Sequence, residues 1–572
     1  MNFFKQILAE FKNMLHSKFI LISGIAIFAI ICIVVPVLVI IESNHDYYTY
    51  VYSNYTVTID GIQVPCGNDF AWEYDYLQSQ EEWITDNLTS QESVKYAGDL
   101  IDELMDFYGT YAIATMGEDD YRSDMCYKMT ECVKENFVLS LTDVDEDALF
   151  LALEQVIYDT SYISLLELSD EEKQTKIDEN TVILEMYDDL VVNSNLAMYV
   201  DLQKESYADD IEDYNEQITL LEESLLTNPS QEDYVSEQIE SMEIRIKNIG
   251  EIYIPSLDYR LENNIIPNDG SWQDSALNQK DSSLSSIEYT KLNTVTEEEF
   301  KEDEYKVEEY ETYDKYLAYQ DAQILEDEFD LFVAESSLNS GEPDMDFVSD
   351  GARANAHNFI TASLFIAVFA VLVGGCAIST EFQNGTVRLL MVRPRTREKV
   401  LFSRFLAGLM LVYVLYFAIF ITTIITNGFM YGFADYLYPN YTASGNVNFF
   451  AMFFKELMII SFSMIFLYSF AFAISTIVRN TAVAIIIPTL GILGSFILMQ
   501  VMYSFTNMDW VSFTPILYIP MYDFFGNYSQ LQYLVEKGMS VSVGLGVLIL
   551  TIYSVISMVI ATVIFKKTDI TN

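Results

Sequence analysis

The sequence predicts a mainly α fold: a polytopic six-helix membrane domain plus a large, mostly helical, acidic extracellular domain carrying a small β-hairpin and a coiled-coil hairpin. Three observations predict it. First, six apolar segments lie at 19–41 and at about 359–379, 406–430, 452–476, 481–503 and 541–565, each near the length a helix needs to cross the hydrocarbon of a bilayer. Second, charge is segregated. Residues 42–357 hold 76 acidic and 16 basic side chains, whereas the rest of the chain holds 9 and 14. A very acidic soluble object is therefore inserted into a basic-edged membrane object, and the insert is long enough to bury a core of its own. Third, helical periodicity dominates the insert once a short β signal has passed.

Residues 1–18 (MNFFKQILAEFKNMLHSK) place Phe4, Ile7, Leu8, Phe11, Met14 and Leu15 at helical spacing, with Lys5, Glu10, Lys12 and Asn13 elsewhere. That pattern suits a cytoplasmic amphipathic helix lying in the membrane interface. The apolar segment 19–41 is too long for a signal-peptide core and no A-x-A cleavage site follows it, so it is expected to stay as span 1. Pro36 within it is expected to kink the helix.

The acidic domain, 42–357, opens on Tyr55–Val64, where alternating β-formers flank Asp60-Gly61, a hairpin signature. Val94, Ala97, Leu100, Ile101, Leu104 and Phe107 then share a helix face, as do Leu149, Leu153 and Ile157. Ile211, Tyr214, Ile218, Leu221 and Leu225 step by three and four, Asn228-Pro229-Ser230 interrupts, and Val235, Ile239, Met242, Ile246 and Ile249 step again. Two such stripes around a break predict an antiparallel coiled-coil hairpin. A further long helical stretch is expected from about 297 to 336, ended by Gly341-Glu342-Pro343. Asp143–Asp147 with Glu154 has part of the spacing of a calcium loop, but Ala148 stands where the turn glycine belongs, and carboxylates at a helix N-terminus explain the same residues. Of five cysteines, Cys32 and Cys376 lie in spans; Cys66, paired with Cys126 or Cys132, is the expected disulfide, and no bridge at all is equally allowed.

Lys5, Lys12 and Lys18 precede span 1, six basic residues follow span 2, Arg479 sits in the turn between spans 4 and 5, and Lys566-Lys567 follow span 6. The positive-inside rule then puts both termini in the cytoplasm and 42–357 outside, in a multi-pass cell-membrane protein. Loops 431–451 and 504–540 fall outside. The second is rich in aromatics, including Trp510, Tyr518, Tyr522, Phe524 and Phe525, as an interfacial or re-entrant element would be. Lys455 and Glu456 lie near the outer start of span 4 and are expected to stay wet. Few ionisable residues therefore mark an ion path through the spans.

The transmembrane domain, 358–572, contains one cytoplasmic segment of marked character, 380–405. There Glu381, four residues on Gly385-Thr386, then Arg388, Arg393-Pro394, Thr396-Arg397 and Lys399 form E-x-x-x-G-T followed by R-P-x-T-R and further basic residues. This resembles the first cytoplasmic loop of permease subunits in the ABC-2 type transporter family, and the order of the six spans is similar too. The resemblance covers roughly 1–45 and 355–572. It implies that 380–405 is a coupling loop docking on a separate ABC ATPase subunit, with Glu381, Gly385, Thr386, Arg388, Arg393, Pro394, Arg397 and Lys399 the ATPase-coupling residues. Glu381 and Arg388 would make polar contacts, Gly385 a close approach or a bend, and Pro394 the helix stop. It also implies a second copy or a related permease as partner.

No phosphate-cradling G-x-x-x-x-G-K-[ST] and no H-E-x-x-H occurs, and His16, His45 and His357 lie far apart in the chain. The expected chain is no enzyme: it has no catalytic residues, no metal and no cofactor of its own, with ATP and Mg in the partner ATPase. The formal net charge of −55 excludes nucleic acid as a partner. The lipid bilayer is one partner, and cationic peptide attracted by the acidic domain is a candidate cargo. The leading expectation is the permease of an exporter of amphipathic, peptide, drug or lipid-like cargo. Two alternatives stay open: a permease-like cell-surface sensor or scaffold that binds a ligand without transport, and an efflux permease for sodium or another small ion.

Overall fold

A computed structural model describes residues 3–34, 56–65, 69–115, 121–227, 232–386, 396–442, 445–504, 509–525, 531, 534 and 539–567. The chain divides into two compact units, residues 41–281 and residues 1–40 with 282–572. The division falls inside one helix, Trp272–Leu292.

The chain begins with α1 (Phe3–Leu15) and α2 (Lys18–Ala29), bent by 75° from each other and continued by a π-helical turn, Ile30–Val34. Pro36, the expected kink, lies outside the described residues. Helix α1 has two apolar stripes rather than one. Ile7 and Met14 turn inward, and Glu10 is buried with them, whereas Phe4 is 61 % exposed and Leu8 and Leu15 are exposed as well. Glu10 therefore falls on the buried face and not, as the sequence suggested, on the polar one. An outward Phe/Leu stripe on a helix bent sharply from a span suits the headgroup layer.

In the 41–281 unit the expected hairpin forms: β1 (Thr56–Ile59) pairs antiparallel with β2 (Ile62–Pro65), Val57 opposite Val64. Asp60 and Gly61 both take positive φ, 50° and 81°, as a two-residue turn matched to strand twist requires. Helices α3 (Asp69–Asn87), α4 (Gln91–Ala114), α5 (Cys126–Ser140), α6 (Glu146–Val156) and α7 (Asp170–Asn193) enclose a core containing Val57, Phe70, Leu100, Met129, Leu149 and Leu190. Asp145 accepts a hydrogen bond from the Ala148 N–H and so caps α6. Cys126 and Cys132 are buried thiols, and burial pushes Cys126 up to about 12; Cys66 lies outside the described residues. Helices α8 (Leu196–Thr227) and α9 (Glu232–Asn248) pack together, with Arg245 donating to the Tyr214 hydroxyl. The break between them at 228–231 is not among the described residues. Helix α10 (Ile254–Asn263) is tied to α11 (Trp272–Leu292) by the buried Arg260–Asp274 pair, 2.6 Å, and by Ser256 donating to Asp281.

The expected helix from 297 to 336 is three helices, α12 (Glu297–Glu302), α13 (Glu304–Tyr310) and α14 (Tyr313–Ser340). Asp303 accepts from the N–H groups of Tyr305 and Lys306, and Thr312 accepts from Lys315. Each side chain competes with the helix for those donors and starts a new one. Gly341, at φ +69°, ends α14 where the sequence expects an end.

Among the described residues five helices are long and apolar enough to cross a membrane, or six with the bent pair at the N-terminus counted as one. They comprise α2, then α15 (Ala352–Asn358) running into α16 (Ser363–Gln383), α17 (Arg397–Tyr431), α18 (Phe449–Val478), α19 (Thr481–Ser504) and α20 (Val543–Lys567). Helix α18 packs on both α16 and α20. Glycines permit the closest approaches. A Cβ on Gly374 would lie 2.6 Å from the Tyr468 carbonyl oxygen, and one on Gly375 2.7 Å from an Ile485 carbon. The loop after α17 contains a second hairpin, β3 (Pro439–Thr442) with β4 (Gly445–Asn448). The aromatic loop after α19 forms short 3₁₀ turns at Asp509–Phe513 and Met521–Phe525; Tyr518 is fully buried while Trp510 stays exposed.

Burial pushes the carboxyl of Asp281 up to about 6, against about 3.9 in an unfolded chain. The folded state thus holds a proton that the unfolded state has released, so the neutral form's contribution to stability is full below about pH 4 and is lost as pH rises through about 6. Thermal unfolding of the detergent-solubilised chain should show Asp281→Asn matching the native protein at pH 4 and exceeding it at pH 7. Identical profiles would refute the assignment.

Candidate functional site

The site is built where α1, α16, α17, α18 and α20 end or begin together. Helix α16 stops after Gln383, and Gly385 turns the chain with φ +70°. Among the described residues no atom lies within 4 Å of where its Cβ would stand, and the positive φ is one that glycine adopts without steric cost. Residues 387–395 are not described, which leaves Arg388, Arg393 and Pro394 outside the described residues. The chain is described again at Thr396, and α17 starts at Arg397.

Arg404, about two turns into α17, organises this end. Its guanidinium donates to Oε1 of Glu381 and approaches Oε2 of Glu10 at 3.9 Å. Arg404 and Glu10 side chains are 11 % and 3 % exposed. The other oxygen of Glu381 accepts from Thr386 Oγ1. Both oxygens of Glu381 are therefore engaged within the chain, and its immediate role is to hold the end of α16 against α17. Arg397 donates to the carbonyl of Lys566 at 3.1 Å, and Lys566 pairs with Glu398 at 2.8 Å, which fastens α20 to the start of α17. Arg479 stacks over Phe382, 4.8 Å to the ring centroid. Lys399 extends from α17 and makes no hydrogen bond or ion pair among the described residues.

Sequence reasoning picked out Glu381, Thr386, Arg397 and Lys399 but missed the pairing of Glu381 with Arg404 and of Arg404 with Glu10. The signal was present: Glu10 recurs with Ile7 and Met14 at three and four residues, and a carboxylate on a buried stripe requires a cation.

The opposite end of the bundle is also polar. Arg353 is fully buried; its Nε and backbone N–H donate to Asp435, Nη2 donates to the Pro343 carbonyl, and Nη1 to that of Pro439. Near it His357 Nε2 meets Glu456 Oε2 at 2.9 Å, both largely buried. Glu456 was expected to remain wet; instead α15 covers it, because His357 supplies the partner that makes burial tolerable.

A family model described as "ABC-2 family transporter protein" matches residues 175–570. The chain is 26 % identical over 159 residues to the "Uncharacterized membrane protein YdbK" of Bacillus subtilis (strain 168), covering 26 % of this chain and 58 % of that protein. It is 25 % identical over 220 residues to the "Uncharacterized protein YhcI" of the same organism, covering 37 % of this chain and 66 % of that one. The chain thus matches less than two thirds of either relative's length. No solved structure matches.

Replacing Arg404 with Met strands two carboxylates away from water. It should destabilise the membrane unit by about 3–5 kcal/mol and raise hydrogen exchange in α1. Adding Glu10→Gln and Glu381→Gln to it should recover much of the loss, and a triple variant no better than Arg404→Met would count against the charge argument.

Proposed function

Because this chain belongs to the ABC-2 transporter family, we propose that it is the membrane-spanning permease subunit of an ATP-driven exporter, working with a separate cytoplasmic ABC ATPase that binds ATP and Mg. The observation that carries the reading is the basic end of the bundle. Segment 387–395, which holds Arg388, Arg393 and Pro394, joins two helix ends pinned to each other through Glu381 and Arg404. A push on such a segment is passed to α16 and α17 together, as coupling to an ATPase needs. The positive-inside rule adds that this end is cytoplasmic, with both termini, and that 42–357 is outside. A second copy of the chain or a related permease would complete the translocation path. Amphipathic, peptide, drug or lipid-like cargo moving outward fits spans with few ionisable residues, and the acidic domain favours cationic peptides among these.

Because Glu381 is engaged internally, Arg388 and Arg393 are the better probes of docking. A mild-detergent pull-down of the tagged chain followed by mass spectrometry should recover a P-loop ATPase with the native chain and lose it with Arg388→Glu plus Arg393→Glu. Absence of any ATPase with the native chain would overturn the reading.

One observation favours a second reading, efflux of sodium or another small ion. Glu456 lies within an apolar helix, buried beside His357, and ionisable groups at such depth commonly line ion paths. On this reading Glu456→Gln abolishes ATP-dependent sodium flux in vesicles holding permease and ATPase. Unchanged flux, or none with the native chain, removes it.

A further inference from the structure

A groove of about 830 Å³ opens between α17, α18 and α20 at the end of the bundle that carries Arg404 and Lys566. Its walls are Phe402, Phe405, Phe462, Met558, Val559 and Val563, and Phe3 of α1 stands at its mouth. Four hydroxyls also line it, and each is turned back onto its own helix. Ser469 donates to the Ile465 carbonyl, Thr551 to Val547, Ser554 to Leu550 and Thr562 to Met558, at 2.6–2.8 Å. Every hydroxyl donor is therefore satisfied locally, and the groove offers an occupant methyl, methylene and aromatic surface. A polar or charged cargo would leave its own groups unmatched there; a hydrocarbon chain would not.

The mouth differs. Glu398 and Lys399 both border it. Glu398 is neutralised by Lys566 at 2.8 Å, which leaves Lys399 as an exposed cation with no partner among the described residues. An apolar slot along membrane-spanning helices, with an exposed cation at its mouth that is unmatched among the described residues, is complementary to an acyl chain ending in a phosphate. We infer that the α17–α18–α20 groove is a binding site for an anionic phospholipid, its acyl chain along Phe402 and Val559 and its headgroup at Lys399. Lys399 then faces lipid, so its charge serves a role apart from contact with an ATPase, and the site does not depend on one.

The test is native mass spectrometry of the full detergent-solubilised chain, titrated with an equimolar mixture of dioleoyl phosphatidylglycerol and dioleoyl phosphatidylcholine. The native chain should retain the anionic lipid in preference by about fivefold, the effect of one basic side chain near the surface. Lys399→Gln should bring the two lipids to parity. Val559→Trp, at an exposed wall position and so compatible with folding, should lose the adducts of both while thermal unfolding is unchanged. Equal retention of both lipids by the native chain, preference unaltered in Lys399→Gln, or adducts persisting in Val559→Trp would each overturn the assignment. So would a second copy of the chain seated in the groove that excludes both lipids.

Discussion

A guanidinium buried between two carboxylates is the constraint on which the basic end of the membrane unit depends. Arg404 belongs to α17, Glu381 to α16 and Glu10 to α1. Two consecutive helices and a third from the start of the chain meet because none of these charges is tolerable alone in a medium of low polarisability. Hydrophobic packing alone would let α1 slide along α17, since methyl groups carry no directional preference. The charge cluster supplies the register. It also shortens the mechanical path to segment 387–395, whose two flanking helices are joined by the Glu381–Arg404 salt bridge within about two helical turns of where each ends or begins.

Elsewhere in the spans the same economy of polar groups appears in another form. Serine and threonine hydroxyls are mostly returned to carbonyls one turn earlier, so helices stay apolar outside while retaining polar residues in their sequence. Some also join helices: Ser475 Oγ accepts from the N–H groups of Ile378 and Ser379, and Ser379 Oγ meets Thr481 Oγ1 at 2.8 Å. The far end uses charge instead, with Arg353 collecting two carbonyls and a carboxylate from separate stretches of chain.

The spans, the Asp60-Gly61 hairpin and helices α4, α6, α8 and α9 were legible because each is written in local periodicity or in a turn residue with a single backbone solution. What was not legible depended on pairing across the chain. Glu10 and Arg404 are 394 positions apart, and Glu456 reads as a wet surface carboxylate until His357 is placed over it. The three-helix break at 297–340 was legible in principle, since Asp303 and Thr312 are capping residues, but helical spacing of the tyrosines around them masked the stops. The β3–β4 hairpin left a weaker mark still, a lone Gly445 with φ +103° in a short polar loop. Of the candidate coupling residues, Glu381, Thr386 and Arg397 acquired structural partners, and Arg388, Arg393 and Pro394 lie outside the described residues.

The glycines at 374, 375 and 408 carry a mechanical meaning beyond packing. Gly374 and Gly408 bring α16 and α17 against the two polar ends of one residue, Tyr468, whose hydroxyl also donates to the Phe405 carbonyl at 2.9 Å. A seam this tight has no slack, so α16, α17 and α18 cannot shear past one another by small increments. They behave as one stiff plate. Any large rearrangement of the bundle must then hinge at its borders, where α2, α19 and α20 expose more of their surface.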